Sequence, residues 1–469
     1  MRRFTFAVAL SASSLVSISA LADTVEVGPG KTYATICAGI TAAKVGDTVQ
    51  VDASGNYDGE SCSWDTDNVT VVGVNGRPKI NLTSAPSNDK GIFTITAAHA
   101  TVENFEFSGA TSSDSNGAGI RHQGLNLTVR GCYFHDNQDG ILGAPATNQS
   151  ATAADGQGTV LIETSEFASN GAGDGKSHNM YIGDYGSFTL RASYSHGAKV
   201  GQLVKSRAYK TFILYNRLTD ESGTTASYEV DIPNGGTSYV IGNLIEQSME
   251  SQNDNIIETG DEGATNPTNA IYVVNNTIVN DQGKGTFLNV TSATATLANN
   301  IMIGGGTITN LATATLSNNW DATNGDPKLV DPTTYDYHLQ TGSPCVDQGK
   351  DPGAGPDQSL SPIFEYVHPT NVEGRAVSGS AIDIGAYELG GGVALGDGGI
   401  DSIDAGGGGG NPNSDGGPTS LGTLPGGRVD DGGCGCVLAE SESKSNEAAL
   451  AIFGFAIALG LRRSRIHRK

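Results

Sequence analysis

Thr101-Val102-Glu103-Asn104-Phe105-Glu106-Phe107 returns in altered spelling eight more times along this 469-residue chain. The copies run Thr128 to Phe134, Leu161 to Phe167, Thr189 to Ser195, Ile213 to Thr219, Val240 to Glu246, Val273 to Val279, Leu297 to Ile303 and Leu316 to Ala322. The fourth position recurs every 19 to 33 residues, and six of the nine copies place Asn there: Asn104, Asn216, Asn243, Asn276, Asn300 and Asn319. A unit this short cannot bury its own apolar face, so neighbouring units must stack. Strands of roughly 4–6 residues, one turn of chain per unit and no helical crossovers predict an all-β chain wound as a right-handed parallel β-helix. An antiparallel sandwich would need hairpin turns between neighbours and gives no reason for an Asn column. Stacked Asn side chains can pass hydrogen bonds from rung to rung, and Asn tolerates the left-handed backbone that such corners demand.

The bulk composition agrees. The chain holds 65 Gly and only 16% charged residues, and amphipathic-helix periodicity is scarce. With 27 Lys and Arg against 50 Asp and Glu, its net charge of −23 disfavours nucleic acid as a partner. Residues 1–22, with Arg2 and Arg3 before an apolar run ending in Ala20-Leu21-Ala22, read as a secretory signal peptide. Export puts cysteines in an oxidising setting, and Cys37 and Cys62, flanking one short segment, are the candidate disulfide. Cys132 and Cys345 are expected as buried thiols.

The same winding directs attention to His178–Gly236. Tyr181, Lys205 and Glu229 stand 24 residues apart, and so do Gly183, Arg207 and Asp231. At that period the first three stack in one outward column, and Arg207 lies beside Asp231. The alternate positions Met180, Ile182, Val204, Ser206, Val230 and Ile232 are apolar or small and face inward. Arg191, Lys199, Lys205, Arg207, Lys210 and Arg217 make a basic island in an acidic chain. The competing reading is a set of inter-rung ion pairs, each contributing about 0–1 kcal/mol when exposed.

Residues 24–51, with Val25-Glu26-Val27-Gly28-Pro29-Gly30, a short helical stretch Thr35–Lys44 and Gly46-Asp47-Thr48-Val49, resemble the N-terminal cap of secreted pectate-lyase-like β-helix proteins. Asp326-Pro327-Lys328-Leu329, Tyr337-His338-Leu339, Arg375 and Asp383-Ile384-Gly385-Ala386-Tyr387-Glu388 resemble the closing segment of many bacterial β-helix proteins. The chain is thus organised as signal peptide 1–22, cap region 23–66, β-helix and closing segment 67–389, Gly-rich spacer 390–433 and tail 434–469. That tail joins Cys434-Gly435-Cys436, the uncharged run Ala448–Leu461 and an Arg cluster, and resembles the myxobacterial C-terminal sorting signal. The resemblance implies a protein kept at the outer membrane or cell surface, with Cys434 and Cys436 as processing or lipid-attachment sites.

Proteins of this resemblance handle acidic polysaccharides, which implies a polysaccharide lyase acting on uronic acids. Elimination needs a neutralised carboxylate, a base for the acidified ring proton and an acid for the leaving oxygen. Lys205 is the candidate base, its proton loosened by a neighbouring cation, and Arg207 the carboxylate fork. His178, Tyr181 and His196 are candidates for the acid. Glu229, Asp231, Asn234 and Arg217 are candidates for substrate binding, and Glu229, Asp231, Glu258 and Asp261 for Ca²⁺, which favours several oxygen ligands. Val204-Lys205-Ser206 followed by Tyr215-Asn216 resembles the chondroitinase-B and alginate lyase family, departing from it at Leu203, Glu229 and Val230. The rival functions are a glycoside hydrolase using paired carboxylates and a glycan-binding rod, whose aromatic platforms are not evident in the sequence. A monomer is expected.

Overall fold

The computed structural model describes residues 22–145 and 156–395. The signal-peptide segment before residue 22, the spacer beyond residue 395 and the tail with Cys434 and Cys436 lie outside the described residues. Three parallel sheets of twelve, ten and nine strands run along the coil. The twelve-stranded sheet begins at Thr24–Val27 and ends at Thr315–Ser317. The ten-stranded sheet extends from Cys62–Trp64 to Thr307–Thr309, and the nine-stranded sheet from Lys79–Asn81 to Ile301–Gly304. Each turn of chain adds a strand to each sheet in the same order, giving a right-handed parallel β-helix. The ladders start within the cap region, because Thr24–Val27 already pairs with Thr48–Asp52.

Alternation of side chains along each strand creates the core. Val102, Val129, Ile162, Leu190, Ile213 and Val240 are successive register partners of the twelve-stranded sheet, and all are buried. Phe107, Phe134 and Phe167 stack in the nine-stranded sheet with centroids 5.0 and 4.8 Å apart. The first end is covered by the short helix Ile36–Ala42, which buries Ile36 and Ile40 and whose cap residue Thr35 accepts from the Ala38 amide. Gly39 lets this helix approach, since a Cβ there would sit 2.3 Å from Val27 Cγ2. A disulfide joins Cys37 to Cys62, and Cys132 and Cys345 are buried free thiols.

The Asn repeat resolves into two adjacent columns, not one. Asn104, Gly131, Thr164, Ala192, Tyr215, Gly242, Asn275 and Asn299 follow the last paired residue of their strands, and all have φ between 47° and 68°. The next position along the chain holds the buried ladder. Asn216 Nδ2 donates to Asn243 Oδ1 at 3.0 Å, Asn243 to Asn276 at 3.0 Å, Asn276 to Asn300 at 2.9 Å and Asn300 to Asn319 at 2.8 Å. Ser165 and Ser193 continue it in the earlier rungs, accepting from backbone amides at 3.2 Å. The single column read from the sequence therefore slips by one residue between Ala192 and Asn216. Two different physical demands, a left-handed corner and a side chain that both donates and accepts, select the same residue type.

The closing segment packs along the flank of the rungs. Phe364–Val367 pairs antiparallel with Asn371–Arg375, and Asn275 Nδ2 donates to Asp383 O and Gly385 O. Arg375 is buried within it, donating to the carbonyls of Asp383, Gly385 and Ala386 and to Glu388.

Candidate active site

The ten-stranded sheet presents an outward column whose register partners are Arg121, Leu142, Tyr181, Lys205, Asp231, Glu258 and Asn289. Lys205 pairs with Asp231, which corrects the expected Lys205–Glu229 column. The corner from Thr219 to Val230 takes eleven steps along the chain, against eight from His196 to Val204. Glu229 falls at the bend before the strand that starts at Val230, in the interior place that Leu203 holds one rung earlier, where it is 0% exposed and neither carboxyl oxygen has a partner. Burial, with Asp220 and Glu246 adding repulsion, raises its pKa well above the ordinary value. Glu229 is thus an interior acid, enclosed away from any substrate or metal on the outer face.

On the face itself Lys205 Nζ is 2.8 Å from Asp231 Oδ2 and 3.1 Å from Glu262 Oε1. Arg207 Nη2 lies 2.6 Å from Glu262 Oε2. Its Nε donates to the Tyr181 hydroxyl at 2.7 Å, its Nη1 donates to Asn234, and its guanidinium lies 5.6 Å from the Tyr181 ring centre. One carboxylate, Glu262, therefore spans both cations. It comes from the projecting loop Gly260–Asn269, fastened by Asn266 Nδ2, which donates to the carbonyls of Ala208 and Gly235 at 3.1 Å. Nothing in the repeat marks which of the loop's acids folds back. Arg121, also unforeseen, is half-buried two rungs from Tyr181 and makes no ion pair among the described residues.

The electrostatics follow from this crowding. Burial pulls Lys205 toward neutrality, but Asp231 and Glu262 outweigh it and hold its pKa above 10.5. A neighbouring cation was expected to lower that pKa; the two carboxylates reverse the sign. Burial pushes Asp231 up to about 6 against the pull of Lys205. Glu258 is pushed up to about 7, chiefly by burial and despite donation from Asn289 and Asn255. His178 is buried and driven down to about 3 by burial, with its Nδ1 accepting from the Gln202 amide at 3.1 Å. It is a neutral support, stacked 5.8 Å from the Tyr181 ring.

His196 and Arg217 belong to the nine-stranded sheet, where His196 is the register partner of Thr219 and Arg217 that of Tyr194, away from the Lys205 column. The basic island likewise disperses. Arg191 pairs with Glu163, Lys199 with Asp136, Lys210 with Asp357 and Arg217 with Glu221, because one rung wraps the whole circumference.

The calcium expectation does not fit this arrangement. Glu229 is enclosed, Asp231 is held by Lys205, and both Glu258 oxygens take Asn289 Nδ2 at 2.9 Å. Among the described residues, only Cys37, Glu60 and Cys62 bring three such ligand atoms within 4.8 Å of one another, and those cysteines form the disulfide.

A parallel β-helix with a cation-bearing outward column defines the class of this protein. Among solved structures, the crystal structure of pectate lyase Pel9A is similar, with a TM-score of 0.50 at 15% identity over 79% of this chain and 97% of that one. Geobacillus virus E2 ORF18 aligns with 61% of this chain and 56% of that one at 15% identity and a TM-score of 0.35. No family model matches the chain, and no curated protein matches it. At such identity the Pel9A likeness speaks for the fold alone.

Proposed function

We propose that the protein is an exported polysaccharide lyase acting on a uronic-acid polymer, with the Lys205–Arg207 face as its active site. The observation that carries this reading is the seating of Glu262 across both cations. A uronate offers the same planar carboxylate, and the Arg fork suits it. In this reading the substrate carboxylate displaces Glu262, and Lys205 in its neutral form takes the ring proton alpha to that carboxylate. The freed electron pair becomes the ring double bond as the glycosidic carbon–oxygen bond breaks. Tyr181, whose oxygen accepts from Arg207, keeps its own O–H proton to give to the leaving oxygen. Arg121, further along the column, would hold a neighbouring sugar carboxylate.

An ultraviolet scan for unsaturated products over polygalacturonate, alginate and chondroitin, from neutral to pH 10, tests the reading. Product from the natural chain and none from Lys205→Ala is expected; no product from any polymer would dispose of it. One observation favours a second reading. Asp231 and Glu258 are register partners with raised pKa values, the makings of a glycoside hydrolase acid and base. That enzyme would release reducing ends without new absorbance. Export and surface retention rest on residues 1–22 and 434–469, and mass spectrometry of surface protein should find a C-terminus near Cys434–Cys436. Among the described residues no helix is long and apolar enough to cross a membrane.

A further inference from the structure

The nine-stranded sheet carries a feature that the lyase reading leaves unused. Tyr133-Phe134-His135 and Tyr194-Ser195-His196 lie two rungs apart, with Glu166-Phe167-Ala168 between them. In each triplet the middle residue enters the core and the flanking rings stack on the outer side of the sheet, where Tyr133, His135 and His196 are half-buried and Tyr194 is buried against its neighbours. Tyr133 lies 4.5 Å from His135 and Tyr194 lies 4.1 Å from His196. The track continues to Arg217, the register partner of Tyr194, whose guanidinium sits between the rings of Tyr194 at 4.8 Å and Tyr335 at 4.7 Å. There it opens into a cavity of about 410 Å³ between the sheet and the closing segment. Rings of Tyr335, His338 and His368 and the carboxylates of Asp336 and Glu373 line that cavity.

If these rings served only to fasten the closing segment, the packing would leave no cavity, and Tyr133 and His135, two rungs away, would have no part in it. Flat ring faces flanked by donors and acceptors suit a sugar ring, which is apolar on its faces and polar at its edge. Charge decides which sugar. Arg217 is held by Glu221, Lys79 by Glu106 and Lys199 by Asp136. Glu166, Asp336 and Glu373 meanwhile add negative charge along the track, which repels a polyuronate. We propose that this face binds a chain of neutral sugars, at a site separate from the Lys205 column and independent of whether that column is catalytic.

Electrophoresis of the full chain through gels cast with xylan, galactan, mixed-linkage β-glucan or polygalacturonate tests this. Retardation by at least one neutral polymer is expected. Tyr133→Ala and His368→Ala should each weaken it roughly three- to tenfold, the scale of one lost ring contact. His368 is exposed, so its replacement leaves the core intact, and thermal melts check the fold of both variants. Lys205→Ala should leave the retardation unchanged. Passage through all three neutral polymers without delay overturns the proposal, as does delay that survives both ring substitutions. Binding only to polygalacturonate and lost in Lys205→Ala would assign all recognition to the other face, and also overturns it.

Discussion

Lys205 Nζ lies 2.8 Å from Asp231 Oδ2, and neither side chain is more than one-tenth exposed. Removing the lysine deletes a base and also strands a carboxylate that has no water to turn to. Lys205→Ala should lower product formation by about 10²–10⁴ and destabilise the fold by on the order of 3 kcal/mol. The double variant Lys205→Ala/Asp231→Asn should regain most of that stability and none of the activity. Denaturant titration beside the product assay checks both, and full activity in the single variant would remove Lys205 from the chemistry.

Glu262 is nearly half exposed at 46%, so its hold on the two cations is weak enough to be exchanged. Glu262→Gln should bind oligogalacturonate about two- to fivefold more tightly, the scale of a partly solvated ion pair. Calorimetry at pH 6, where Lys205 is charged and turnover is suppressed, reads this directly. Weaker binding would make Glu262 part of the substrate site and not a stand-in for the substrate.

Because Asp231 and Glu262 keep Lys205 protonated, the reactive neutral form is scarce at neutral pH. Product formation should climb about tenfold per pH unit between pH 8 and 10. The rise should begin at lower pH in Glu262→Gln. A profile flat across this range would contradict a lysine base.

Stability should run the other way. Asp231 and Glu258 have folded pKa values of about 6 and about 7, above their ordinary 3.8 and 4.5. The folded state therefore binds protons more tightly than the unfolded chain, and this stabilisation is complete below pH 4 and lost as pH rises through 6 to 7. The denaturation midpoint should fall from pH 5 to pH 8. Glu258→Gln should show a shallower fall, measurable by urea titration at each pH.

Asn276 sits mid-ladder, accepting from the Asn243 amide and side chain and donating to Val240 O and Asn300. Asn276→Ala should cost about 1–3 kcal/mol for each buried group left without a partner. Asn319→Ala, at the end of the ladder and only half-buried, should cost less. Equal losses would mean that the ladder is not what secures these rungs.

The winding was legible because stacking forces the same residue types to return, and the Asn104-to-Asn319 repeat records that. Its internal structure was not legible, since corner and ladder positions both favour Asn and stand side by side. Tyr181, Lys205, Arg207 and Asn234 do share one neighbourhood. His196 and Arg217 were misplaced for a geometric reason: residues close in sequence can lie on different sides of a coil. Glu262 left no periodic trace, because its position depends on how a single loop folds back, with Asn266 as its anchor.

The corner from Thr219 to Val230 is three steps longer than the one before it, and it acts as a slip of register between rungs. Strands alternate inside and outside with a period of two, so a slip by two keeps the phase of the strand and changes only which residues stand opposite one another. Lys205 thus meets Asp231, and Glu229 falls at the bend before its strand, in the buried place that Leu203 holds one rung earlier. A new pairing on a face can therefore arise from an insertion or deletion at a corner, which re-matches existing side chains while the rungs on either side keep their own register.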